Sequence, residues 1–131
     1  MFMTDIQCVD TGMRGGAFSQ CLIAGNLIFV SGQVGLDPET GEVPDTIDDQ
    51  TTIALKNIKD ILEKAGASVA NIVKMTVFLT DISEYQAMSD SYLQFIVDNA
   101  ADEKPPTRTT VQVSALGREG LKVEIDCMAV L

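Results

Sequence analysis

The sequence predicts an α+β fold: one sheet with two helices on one of its faces. Three observations predict it. Short apolar runs of strand length recur between Gly-, Asn- and Pro-rich breaks. Two longer stretches repeat their apolar residues at helical spacing. The resulting order is strands, helix, strand, helix, two strands, which suits one layer of sheet under one layer of helix. The 131 residues, 46% hydrophobic and 21% charged, read as one globular domain over 1–131.

The elements follow in order. Residues 6–9 form a weak first strand. Residues 20–24 and 27–31 are two apolar runs joined by Gly25-Asn26, a two-residue link that predicts a tight hairpin. Asp37-Pro38-Glu39-Thr40-Gly41 is a turn-rich loop. Residues 45–65 are the first helix, with Ala54, Leu55, Ile58, Ile61 and Leu62 on one face. Asp45, Asp48 and Asp49 sit at its positive end, and Gly66 is placed to stop it. Residues 72–80 alternate as a strand that sends Val73, Met75, Val77 and Leu79 one way and Lys74, Thr76, Phe78 and Thr80 the other. A second helix runs from Ser83, which with Gln86 has the capping-box spacing, to about Val97. Its Tyr85, Met88, Tyr92, Phe95 and Ile96 form an apolar stripe, read as core packing in preference to ligand stacking. Pro105-Pro106 then breaks the chain, and residues 107–113 and 121–130 are two strands around a Gly117-Arg118-Glu119-Gly120 turn.

Charge and composition narrow the function. Nine Lys and Arg stand against nineteen Asp and Glu, a net charge of -10 that opposes a phosphate backbone. There is no histidine, which removes His-based nucleophile systems, His-ligated metals and His general bases. Cys8, Cys21 and Cys127 lie far apart and fit neither a zinc site nor a disulfide framework. No signal pattern opens the chain and no apolar run reaches membrane-spanning length, so the expectation is a cytoplasmic protein without a membrane partner. Gly15-Gly16-Ala17-Phe18-Ser19 lacks the context of a phosphate-binding loop.

Two helices cover one sheet face and leave the other open. Alternation in the last two strands places Val111 and Val113 with the helices and Arg108, Thr110, Gln112, Glu124 and Met128 opposite. On this reading Arg108 and Glu124 share the open face with Phe78. That face fits a solvated surface or a subunit interface holding a polar pocket, and both readings stand. Arg108, one of three arginines, is either half of a surface salt bridge, for instance with Glu124, or a fork for a planar carboxylate. Glu124 either solvates the face or orients a water. Gly32, after Ser31, either ends its strand or lets a ligand approach the backbone.

At these residues the chain resembles a known family. Pro106-Thr107-Arg108 followed by Val123-Glu124-Ile125 resembles the C-terminal signature of the reactive-intermediate deaminases (Rid, or YjgF). Ala17-Phe18-Ser19-Gln20 is similar to the family's loop before the second strand, and residues 27–33 to its strand ending in Ser-Gly-Gln. Residues 50–62 and 77–81 match the helix and strand between. The resemblance implies a mixed sheet in a chorismate-mutase-like fold, assembled as a homotrimer whose sheets form an inner barrel, with three sites at subunit interfaces. It implies hydrolysis of 2-imino acids to 2-keto acids and ammonia, with no cofactor and no metal. Arg108 would hold the substrate carboxylate and Glu124 would position or deprotonate water. The backbones at Gly32 and Thr110 would hydrogen-bond the substrate, and Phe18 and Tyr92 would wall the pocket, with Ser31 and Ser89 beside them.

The chain departs from the family at Phe18, where many members carry tyrosine, at Thr110 in place of cysteine, and at Ser89 in place of asparagine. Thr109 stands where a smaller residue is usual. Two other functions compete: a non-catalytic trimeric module that binds a small molecule or stabilises a protein, and an endoribonuclease, against which the charge and the missing histidine speak.

Overall fold

A computed structural model describes residues 5–12 and 16–131. Residues 1–4 and 13–15, the latter including Gly15 of the glycine-rich loop, lie outside the described residues. The strands are β1 (Ile6–Val9), β2 (Cys21–Ala24), β3 (Leu27–Val34), β4 (Ile72–Leu79), β5 (Thr107–Gln112) and β6 (Val123–Val130). The helices are α1 (Ile47–Lys64) and α2 (Tyr85–Asp98). One six-stranded sheet has the order β1-β2-β3-β6-β4-β5. It is mixed: β4 and β5 run parallel, and every other pair is antiparallel.

The β2–β3 hairpin forms as expected, with Ala24 opposite Leu27. Gly25 takes a φ of 64°, which the first central position of a type II′ turn requires. α1 starts at Ile47, two residues later than expected, because Thr46 caps it by accepting a hydrogen bond from the Asp49 N–H. Its buried Leu55, Ile58 and Leu62 face the sheet's Ile28, Val77 and Ile125 in one core. Each such side chain contributes about 1.5–3 kcal/mol by leaving water. Gln50 is wholly buried in the same helix. Its amide donates to the carbonyls of Pro44 and Gly120, and its oxygen accepts from the Lys122 N–H, each at 2.8 Å. One side chain thereby ties α1 to the loop before it and to the approach to β6.

Several expectations are corrected. β3 does not end at Gly32; it runs to Val34 through a register shift between Val30 and Gln33 that takes up Ser31 and Gly32. A second shift, between Ile72 and Lys74, turns Val73 outward and Ile72 into the core, opposite to a strict two-residue count. α2 is entered by a turn at Ile82–Glu84, where the Asp81 carboxylate accepts from the Ser83 N–H and hydroxyl, so Ser83 and Gln86 make no capping box. Tyr85 is not core but exposed. The last two strands are not neighbours, since β6 lies between β3 and β4 while β5 lines the sheet edge.

The largest correction concerns faces. Arg108 pairs with Met75 and Thr110 with Val77, and both β4 partners are buried in the helix-covered core. Arg108 and Thr110 therefore lie on the helix side, and Val111, paired with Phe78, lies on the open side. Valines misled the alternation because the open face is itself apolar, carrying Phe29, Phe78 and Met128. Glu124 pairs with Phe78 and stays on the open face. Arg108 and Glu124 of one chain are thus on opposite faces and cannot form the salt bridge considered above.

Candidate active site

The residues singled out in the sequence fall into two groups. The first is on the helix side, where β5 meets α2. Tyr85, Ser89 and Tyr92 stand four and three residues apart, so one helix face presents all three. They meet Arg108. Its Nη2 donates to the Tyr85 hydroxyl at 2.7 Å, and Nη1 and Nη2 both point to the Ser89 hydroxyl at 3.4 Å. The guanidinium carbon lies 4.6 Å from the centre of the Tyr92 ring and 5.5 Å from that of Tyr85. Two such cation–π contacts at roughly 0.5–1 kcal/mol each largely offset the ~2 kcal/mol of rotamer entropy of an ordered arginine. The guanidinium is fixed, yet among the described residues no carboxylate forms an ion pair with it.

Two buried oxygens beside this group, the Tyr92 hydroxyl and Thr110 Oγ1, have no hydrogen-bond partner among the described residues. Burial raises the Tyr92 phenol above its ordinary value, while Arg108 acts against the rise. A phenol and a hydroxyl with no partner among the described residues, beside an arginine with no ion pair among them, are free to bind a polar group.

The second group lies on the open side. Glu124, half-buried on β6, has its carboxyl pushed above the usual range, first by burial and then by the neighbouring charge of Asp126. Gly32 lies directly against it: a Cβ added there would stand 2.8 Å from the Glu124 Cδ. A side chain at Gly32 would have to push the Glu124 carboxylate from this position. Ser31 donates its hydroxyl to the Ser19 carbonyl at 2.6 Å and its N–H to the Gln20 carbonyl at 2.9 Å, which pins the loop carrying Phe18 to β3. Phe18 itself is 65% exposed. Gly32 and Glu124 are one contact, with Ser31 and the Phe18 loop joined to the same stretch of β3; Ser89, Tyr92, Arg108 and Thr110 are the other group. The sequence reading missed Tyr85 as a site residue. Its spacing to Ser89 and Tyr92 was the available signal, masked by its apolar ring.

A cleft of about 450 Å³ lined by Gly32, Gln33, Asn57 and Asp60 reaches neither Arg108 nor Glu124. Among the described residues no three of His, Cys, Asp and Glu are grouped to hold a metal ion. Cys21 and Cys127 are buried, and burial pushes the Cys127 thiol up to about 12, far from a reactive thiolate.

The chain is a two-layer α+β domain with, among the described residues, an arginine without an ion pair on the helix side of its sheet and a half-buried carboxylate on the open side. The family model described as Endoribonuclease L-PSP matches residues 13–131, and the chain belongs to this YjgF/Rid family. It is 42% identical over 115 residues to a RutC family protein of Pyrococcus abyssi, covering 87% of this chain and 86% of that one. It is 38% identical over 117 residues to Reactive Intermediate Deaminase A, chloroplastic, of Arabidopsis thaliana, covering 88% of this chain and 59% of the relative. Among solved structures, Escherichia coli TdcF with bound serine superposes with a TM-score of 0.89 at 37% identity, over 95% of this chain and 98% of TdcF. Among the described residues no helix is long and apolar enough to cross a membrane.

Proposed function

We propose that the protein hydrolyses 2-imino acids to 2-oxo acids and ammonia, at sites shared between copies of a homotrimer. The observation that carries this reading is the pair of half-sites: an unpaired guanidinium and a half-buried carboxylate that one chain holds on opposite faces. A subunit boundary that sets the open face of one copy against the β5–α2 edge of the next brings them together. The exposed apolar Leu27, Phe29 and Val111 support such a boundary on the open face. The deaminase name of the Arabidopsis relative and the amino acid bound to TdcF support a small carboxylate ligand.

In this mechanism Arg108 grips the substrate carboxylate and thereby fixes the imine carbon. Glu124 takes a proton from water as the oxygen bonds to that carbon and the C=N pair moves to nitrogen. Starting from the protonated imine this gives a neutral carbinolamine; Glu124 passes its proton to the amine, then takes the hydroxyl proton as the C=O bond forms, the C–N bond breaks and ammonia leaves. A raised Glu124 is suited to both proton steps. Backbone groups at Gly32 and Thr110 bind the polar ends of the substrate, Ser31 and Ser89 support them, and Phe18 and Tyr92 flank its side chain. The buried thiols support a reducing, cytoplasmic setting. The charge of -10 supports a small ligand over RNA.

Serine in TdcF is an amino acid, not an imine, and this favours a second reading as a module that binds amino or oxo acids without turnover. Generating 2-iminobutanoate in situ with a threonine dehydratase and following its loss separates the two. The proposal expects the protein to accelerate imine loss in proportion to its concentration; an unchanged rate alongside measurable binding would establish the module.

A further inference from the structure

The Tyr85 hydroxyl accepts a hydrogen bond from Arg108 Nη2 at 2.7 Å. A phenol that accepts keeps its own O–H to donate. Among the described residues no acceptor takes that proton, and the side chain is 40% exposed, where an arriving ligand can meet it. The phenol thus continues the row of donors that begins at the guanidinium. Its partners on the helix face, Ser89 and Tyr92, hold Arg108 from the remaining sides.

We infer that Tyr85 is an anion-binding residue: its O–H donates to one carboxylate oxygen while Arg108 donates to the same carboxylate. This rests on the 2-imino acid reading above and adds to it a specificity determinant, a neutral donor that rewards a ligand able to accept from both groups. Phenol plus guanidinium spans a wider donor row than a guanidinium edge alone. The site therefore favours a carboxylate, with its two oxygens in one plane, over a single-oxygen ligand such as a ketone or amide.

The chain offers its own probe. It has two tyrosines, Tyr85 and Tyr92, and no tryptophan, and both rings lie against Arg108. Intrinsic fluorescence therefore reports on this one place. The experiment titrates the intact protein and its Tyr85→Phe variant with 2-oxobutanoate and with the neutral 2-butanone, read by tyrosine fluorescence and checked by calorimetry. The variant keeps the ring and the fold. Loss of a hydrogen bond to a charged group predicts about tenfold weaker binding of 2-oxobutanoate. Binding of 2-butanone should stay within about twofold, so the loss falls on the ligand that carries the carboxylate. Equal affinity of both forms for 2-oxobutanoate would overturn the assignment, as would equal weakening of the neutral ligand. If the wild-type protein binds 2-oxobutanoate tenfold better than the variant but hydrolyses no imine, Tyr85 stands as an anion-binding residue and the deaminase reading falls.

Discussion

Arg108 presents a planar cation that two tyrosines and a serine hold in place with no carboxylate of its own. If it grips the substrate, its loss removes a charged anchor of about 3 kcal/mol. Arg108→Ala should lower kcat/KM by about 100-fold in the coupled imine assay. Arg108→Lys, which keeps charge without the fork, should recover only part of that. Wild-type turnover by a folded Arg108→Ala protein would remove the arginine from the site. For Glu124, burial raises the carboxyl. A base must be ionised to work, so kcat/KM should fall on the acid side with a midpoint above the ordinary carboxylate value of about 4.3. The same shift fixes the stability sign. The raised carboxyl contributes fully below its unfolded pKa, and the contribution is lost as pH rises through the folded one. Glu124→Gln should therefore melt no lower than wild type at pH 7 while losing activity, which makes it a clean test by differential scanning calorimetry and assay together. Read by themselves, an arginine after Pro-Pro-Thr and a glutamate in an alternating strand are as ordinary as surface charges, and only the family resemblance marks them as candidate chemistry. Their faces are not legible, because Val111 and Arg108 compete for the core side and the pairing with β4 decides it.

At the scale of elements, helices and hairpin follow from spacing and turn chemistry, and the strands fail where a two-residue count breaks. The shifts at Ser31-Gly32 and at Val73 each insert a residue that no local pattern announces. The first of them takes up Ser31 and Gly32, the glycine that lies against Glu124. Gln50 escaped for a different reason: a polar residue inside a helix reads as solvent-facing, and its three carbonyl and amide partners, one of them 72 residues away, are visible only in the fold. Gln50→Ala removes three part-buried hydrogen bonds to Pro44, Gly120 and Lys122 and the side chain that fills the core there, and should cost about 2 kcal/mol. A lowered urea midpoint at unchanged slope would show it; a variant as stable as wild type would mean that water replaces the amide.

For the whole molecule, the sheet has helices on one face and exposed apolar groups on the other, and its two candidate half-sites point away from each other. That arrangement makes little sense for an isolated chain and good sense for a closed ring in which every copy offers both surfaces. The central claim is that Arg108 of one copy completes the site of Glu124 in the next, and subunit mixing tests it most directly. Arg108→Ala and Glu124→Gln are each prepared alone, then unfolded together in equal amounts and refolded into mixed trimers. An interface that joins an intact Glu124 from the first variant to an intact Arg108 from the second is wild type at both positions. Random assembly produces it at about one interface in four. The refolded mixture as a whole should regain about a quarter of wild-type imine hydrolysis, although neither parent is active. If both parents are inactive and their mixed trimers remain so, the two residues do not meet across a subunit boundary.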